Sequence, residues 1–312
     1  MYDLRSLFMF RETLEALDPK GEPRAVILDA APEPVNGPVG VLSGSFNPPT
    51  LAHMELARSA REVFRLERIY FAISRVTVDK ETIEGLILED RLLLLTQLTE
   101  AMRWASVALV NKGLYLEQAA AFRKLLGQQT KVHFVVGMDK VIQIFDPGYY
   151  KDREKALRDL FAESELYAAG RGVWGEEELN RLLDRAENRA YREKIHYLPF
   201  PEEMRDLSAG ELRNRIMAGE PVKGQLPPTV EKFVAASGTF KAAYDTRSRL
   251  LDFLYHVREW AEKECDLKLL IRIAGEKSDR GKKLRETLSS DKLSPSEIQD
   301  SLLGVMRSDS RK

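Results

Sequence analysis

The apolar run VGVLS, residues 39–43, stops at the ten residues GSFNPPTLAH, 44–53, and a helical pattern follows. Polar and small side chains at a strand-to-helix turn can hold an anion. Gly44 permits close backbone approach. Asn47 suits a helix N-cap and Pro48 the first helical position, which predicts amide groups aimed outward at the positive end of a helix dipole. Thr50 and His53 are three residues apart and share one helix face. His53 also heads the apolar stripe Leu56, Ala57, Ala60 and Phe64. It is placed either to cap a core or to stand at the mouth of a cleft beside a bound phosphate. The turn has neither a G-x-G-x-x-G fingerprint nor the Gly-Lys-Ser/Thr ending of a P-loop.

A second constellation lies in LSAGELRNRIMAGEPVKGQLPPTVEKFV, 207–234. Ser208 and Glu211 have the S-x-x-E spacing of a capping box. Arg213, one turn into the same helix, carries a fork of donors suited to phosphate oxygens. If this helix and the first turn open on the same cleft, His53 and Arg213 can grip one polyphosphate from two sides.

The elements that must position these residues read as β-rich runs at 39–43, 68–74, 106–111, 132–137, 165–170 and 194–200, with a further one at 25–29. Helical patterns at 49–65, 89–102, 116–126, 150–162 and 176–193 separate them. Near-continuous apolar strands alternating with helices predict an α/β fold, a doubly wound parallel sheet covered on both faces. Ligands of such sheets sit at the carboxyl ends of the strands. The expected organisation is an N-terminal extension over 1–38, a Rossmann-like domain over 39–238, and a charged helical appendage over 239–312 ending in a polar, frayed tail.

Composition narrows the classes of function. The 312 residues are 44% hydrophobic and 31% charged, with a formal net charge of -1, so bulk positive charge does not point to nucleic acid. The single cysteine, Cys265, excludes a disulfide framework or a multi-cysteine zinc site. No run reaches the roughly 18 apolar residues of a membrane span, and the N-terminus lacks a signal-peptide core. A cytoplasmic protein with neither nucleic-acid nor membrane partners is expected. His133, His196 and His256 form no zinc spacing, and GVLSGSF is not a G-x-S-x-G elbow.

GSFNPPTLAH resembles the G-x-F-x-P-x-(H/T)-x-G-H signature of the nucleotidyltransferase superfamily, and its wording is similar to that of nicotinamide and nicotinate mononucleotide adenylyltransferases. Thr50 and His53 stand at the two His/Thr positions, and Ala52 replaces the usual glycine. Leu207, Ser208, Leu212 and Arg213 match the closing I-S-S-T-x-I-R motif, in which Ala209 and Gly210 replace two hydroxyl residues. VVGMD resembles the family's G-x-D strand end at Gly137 and Asp139, although Asp139 also suits a helix cap. The resemblance spans residues 39–236.

It implies an enzyme that transfers a nucleotidyl group from ATP to the phosphate of a mononucleotide, with Mg²⁺ carried on the ATP phosphates and no protein ligand set for a metal. His53 and Arg213 are the implied catalytic pair. Gly44, Ser45, Phe46, Asn47, Thr50, Gly137, Asp139, Arg171 and Ser208 complete the implied nucleotide site. Lys80 and Arg91 fall at phosphate-facing positions on the acceptor side. Tyr115, in a stretch that departs from the family, either stacks on the acceptor ring or packs in the core. Two alternatives stay open: a transferase of the same fold using another phosphorylated acceptor, with CTP as a second donor choice, and a nucleotide-binding protein without turnover. The family's habit of assembling leaves a homo-oligomer open as well.

Overall fold

The computed structural model describes residues 3–28, 35–76 and 84–308. Seven strands form one sheet: β1 (Ala25–Ile27), β2 (Val39–Ser43), β3 (Arg68–Ser74), β4 (Ala105–Val110), β5 (Val132–Gly137), β6 (Ser164–Ala169) and β7 (Ile195–Leu198). Their spatial order is β1-β4-β3-β2-β5-β6-β7. All pairs are parallel except β1 with β4. The chain winds outward from β2 through β3 to β4, then returns to β5 on the other side. That reversal between β2 and β5 is the switch point of a doubly wound sheet, where a crevice opens beyond the strand ends.

The helices are α1 (Leu4–Ala16), α2 (Leu51–Phe64), α3 (Leu88–Thr99), α4 (Tyr115–Leu126), α5 (Met138–Phe145), α6 (Arg153–Glu163) and α7 (Glu176–Leu183), then α8 (Glu202–Arg205), α9 (Ala209–Ala218) and α10 (Pro228–Ser237). Five more follow: α11 (Tyr244–His256), α12 (Arg258–Glu264), α13 (Leu267–Ala274), α14 (Asp279–Leu288) and α15 (Pro295–Arg307). Strand side chains alternate between two cores, as period two requires. Ile69, Phe71 and Ile73 face a core shared with α1, α2, α3 and the C-terminal helices. Tyr70 and Ala72 face the other, shared with α4 to α7.

The strand expected at 25–29 forms as β1 and adds an antiparallel edge to the sheet, registering Ala25 with Val110. Two expectations change. The helix expected over 176–193 stops at Leu183, and a 3-10 turn follows at Arg189–Lys194. The tail is not frayed up to Arg307, because α14 and α15 each start on a serine N-cap and bury Leu284, Leu302 and Val305. Scattered apolar residues in a charged stretch hid these two amphipathic faces. Among the described residues, no helix is long and apolar enough to cross a membrane.

Since Leu284 is fully buried in the core that backs the sheet, Leu284→Ala is expected to cost about 2–5 kcal/mol. Urea unfolding followed by circular dichroism should keep a single transition at a lower midpoint; a separate early transition would mark the C-terminal helices as an independent unit.

Candidate active site

The turn after β2 is built around two side chains. Phe46 has a left-handed backbone, with φ of 45°, which costs a non-glycine residue about 1 kcal/mol or more. Its ring is fully buried and offsets that cost, lying 5.0 Å from the His53 ring and 5.8 Å from Phe71. Gly44 makes room for it: a Cβ there would meet the Phe46 ring at 3.2 Å.

Asn47 is not the helix N-cap. Its buried amide reaches the other way, donating to the Glu84 carbonyl at 2.7 Å and accepting from the Leu86 N–H at 2.9 Å. The cap of α2 is Thr50, and the Leu51 N–H is taken by the Gln225 carbonyl at 3.1 Å. The outward row of helix amides expected at this turn is therefore partly used within the fold.

Thr50 is fully buried and works through His53. Its backbone N–H donates to His53 Nδ1 at 3.0 Å, and its hydroxyl lies 2.8 Å from the same nitrogen. A backbone N–H can only donate, so Nδ1 accepts, and the neutral ring carries its proton on Nε2. Burial, reinforced by the charge of Arg171, lowers the His53 pKa from 6.5 to about 4. At neutral pH the half-buried ring is thus an uncharged donor. Ala52, which replaces the family's glycine, points its methyl into the core.

Arg213 meets this turn. Its Nη1 donates to the Asn47 carbonyl at 3.3 Å. Gly85, with φ of +87°, permits the junction, because a Cβ there would stand 2.7 Å from both Arg213 Cδ and Asn47 Oδ1. Ser208 is the N-cap of α9 but makes no side-chain cap bond, so the expected capping box with Glu211 does not form. A Cβ on Gly210 would find ordinary contacts, with Arg213 Nη2 at 3.8 Å. Arg171, beyond the end of β6, donates from Nη1 to the Leu207 carbonyl at 3.2 Å. At the neighbouring strand end, Gly137 leaves room for the exposed Asp139, whose Oδ1 would lie 2.5 Å from a Cβ at 137. Asp139 sits in the first turn of α5 and does not cap it.

A cleft of about 240 Å³ opens at the carboxyl ends of β2 and β3, lined by Gly44, Ser45, Arg91, Tyr115, Lys140, Gln143, Tyr149 and Tyr150. Arg91 is not the solvated surface residue that its place on an apolar helix suggests: it is 7% exposed, with Nε donating to the Leu86 carbonyl at 2.8 Å. Burial, and to a smaller degree Arg213, draws its pKa down to about 10, still a cation at neutral pH. Tyr115 packs edge-on against Phe134 at 5.0 Å while lining the cleft, and burial raises its hydroxyl pKa. Lys80 lies outside the described residues.

Sequence reasoning missed four cleft residues. Lys140 donates to Gln143 Oε1 at 2.8 Å, and Gln143 Nε2 donates to the Tyr149 hydroxyl at 2.8 Å. The i,i+3 spacing of Lys140 and Gln143 and the Tyr-Tyr pair at 149–150 were the available signals. Gly85 was missed too, although a lone glycine before an apolar run could have marked it.

A doubly wound sheet whose switch-point turn holds a donor histidine with Arg171 near it, and an arginine-lined cleft with Arg213 near Arg91, fits a nucleotidyltransferase. Residues 41–215, over half of the chain, match the model of the cytidylyltransferase-like family, and the chain belongs to that family. It is similar to a probable nicotinate-nucleotide adenylyltransferase of Thermoanaerobacter sp. (strain X514), 24% identical over 218 residues, 65% of this chain and 94% of the relative. It is also similar to one of Moorella thermoacetica (strain ATCC 39073 / JCM 9320), 26% identical over 216 residues, 67% of this chain and 94% of that one. Among solved structures, the Plasmodium falciparum nicotinic acid mononucleotide adenylyltransferase complexed with NaAD aligns over 64% of this chain and 96% of its own. The TM-score is 0.48 and the identity 16%.

The His53 environment has a consequence for pH. The unfolded chain binds a proton at this residue near pH 6.5, and the folded one only near 4. Stability from this group is full above pH 6.5 and lost as pH falls toward 4, by about 3 kcal/mol. Denaturant melts at pH 7 and pH 4.5 should show a smaller drop for His53→Ala than for the wild type.

Proposed function

We propose that the protein transfers the adenylyl group of ATP to the phosphate of nicotinate or nicotinamide mononucleotide, forming the dinucleotide and releasing pyrophosphate. The acceptor phosphate oxygen forms a bond to the α-phosphorus as the bond to the bridging oxygen of the β-phosphate breaks. The attacking phosphate is already ionised at neutral pH, so positioning and charge stabilisation carry the rate. The observation that carries this reading is that Arg213, bound to the switch-point turn that bears His53, lies near the cleft residue Arg91, with Arg171 near His53. The names of the two adenylyltransferase relatives support the choice of acceptor.

In this reading, Nε2–H of His53 donates to the α-phosphate as negative charge grows on it. Arg213, with Ser208 at the start of α9, holds the β and γ phosphates, and Arg171 supports the same charges. Asp139 and Gly137 border the ribose. Arg91 receives the acceptor phosphate, and Tyr115 with Tyr149 and Tyr150 flanks its ring. Among the described residues no three His, Cys, Asp or Glu side chains gather as metal ligands, and the donors around the phosphate subsites are cationic. That donor set fits a Mg²⁺ carried by the triphosphate rather than by the protein. When bound, the ion would neutralise charge on the leaving pyrophosphate.

Pyrophosphate release from Mg-ATP or Mg-CTP, measured across a panel of phosphorylated acceptors, tests the proposal. Turnover with ATP and a pyridine mononucleotide is expected; turnover only with another acceptor, or nucleotide binding without turnover, refutes it. His53→Ala and Arg213→Ala should each lower kcat on the order of 10²-fold. Their melting curves at pH 7 should shift by only about 1–2 kcal/mol of stability.

A further inference from the structure

The family model matches residues 41–215, and the resemblance in sequence ends at 236, so α11 to α15 lie beyond both. Three consecutive residues on α3 point in three directions. Glu89 accepts from Arg11 of α1, at 2.9 Å from Nη2. Asp90, fully buried, is paired with Arg247 of α11, itself 2% exposed. Arg91 lines the acceptor cleft. Arg11 also bridges to Asp252 of α11, so α1 and α11 clamp the first turn of α3 from both sides. The clamp is embedded in apolar packing, with Leu7, Ile87, Leu250 and Leu251 around Arg247. A buried ion pair of this kind adds little net stability over apolar packing, and its best-attested use is fixing geometry. Two further residues before and within α11 reach the site. The Phe240 ring would lie 3.2 Å from a Cβ at Gly85, and Tyr244, the first residue of α11, lies near Arg91.

We propose that the C-terminal helices are a positioning module for the acceptor site, in which Arg247, through Asp90, sets the guanidinium of Arg91 in the cleft. Arg247 and Asp90 are positioning residues and touch no substrate. Arg91 donates from Nε to the carbonyl of Leu86, just before the N-cap of the same helix. A small rotation of the first turn of α3 would move its side chain off the cleft axis. The kinetic arm of this inference rests on the adenylyl-transfer reading; the placement arm does not.

The test uses the full chain and the double substitution Asp90→Asn with Arg247→Gln, which removes both charges at similar volume. Without any substrate, the Nε–H resonance of Arg91, identified by its loss in Arg91→Lys, is expected to exchange at least tenfold faster with solvent in the double variant. Unchanged exchange in a folded double variant overturns the proposal. With Mg-ATP and the acceptor, kcat/KM for the acceptor should fall at least tenfold, with most of the change in KM, while the KM for ATP stays within twofold. In an Arg91→Ala background the same double substitution should cause no further loss, since it acts through Arg91. A loss of equal size in that background overturns it. If the double variant does not fold, Arg11→Gln, at the more exposed bridge, should still speed Arg91 exchange at least threefold, and no change overturns it. A wild type without turnover would refute adenylyl transfer, and the exchange measurement would still decide the role of the module.

Discussion

The site depends on the way Asn47 is held. Its side chain binds the backbone at Glu84 and Leu86, and its own carbonyl receives Arg213. One buried residue thereby joins three segments that are distant in sequence: the turn after β2, the entry to α3, and α9. A buried amide left without its partners would cost about 1–3 kcal/mol, so the three segments are bound to one arrangement. The His53 and Arg91 positions follow from it. The first is the third residue of α2, which follows the turn directly, and the second donates to the carbonyl of Leu86, the residue that Asn47 anchors.

Much of the fold was legible because burial on both faces leaves a strong signal. The boundaries of β2, β3 and β5 agree with the apolar runs residue for residue. Such runs need both sheet faces covered, and the two cores supply the cover. The C-terminal helices were harder to read, since each buries only a narrow stripe within a charged surface. Leu302, Val305 and Met306 suffice to seat α15. The short helix α5 was hidden by lying directly against β5, with Gly137 serving as both strand end and N-cap.

Within the site, residue types were legible and their partners were not. The spacing of Thr50 and His53 indicated a shared face. It could not indicate that Thr50 is sealed and sets the tautomer of its neighbour. Ser208 and Glu211 have the spacing of a capping box that the structure does not form. Arg91 shows the same gap. An arginine at the start of a leucine-rich helix has the local signature of a surface residue. Its helix is packed by α1 and α10, which lie roughly 80 and 140 residues away along the chain and contribute no local pattern.

The arginines divide by the kind of acceptor that holds them. Arg11 and Arg247 are paired with carboxylates, and their charge is neutralised inside the fold. Arg91, Arg171 and Arg213 are each held by a backbone carbonyl, at Leu86, Leu207 and Asn47. A carbonyl dipole fixes a guanidinium's direction without cancelling its charge. Burial, and to a smaller degree Arg213, lowers the Arg91 pKa against the opposing pull of Asp90, and burial reinforced by Arg171 lowers that of His53. In a chain with a formal net charge of -1, these guanidiniums keep hydrogen-bond donors whose direct acceptors are neutral, although Asp90 and Glu89 act on Arg91 from the fold side. In the proposed reaction, those donors and the uncharged His53 would meet the polyphosphate. Carboxylates in place of those carbonyls would hold the same side chains at least as firmly, and would leave the crevice with little affinity for an anion.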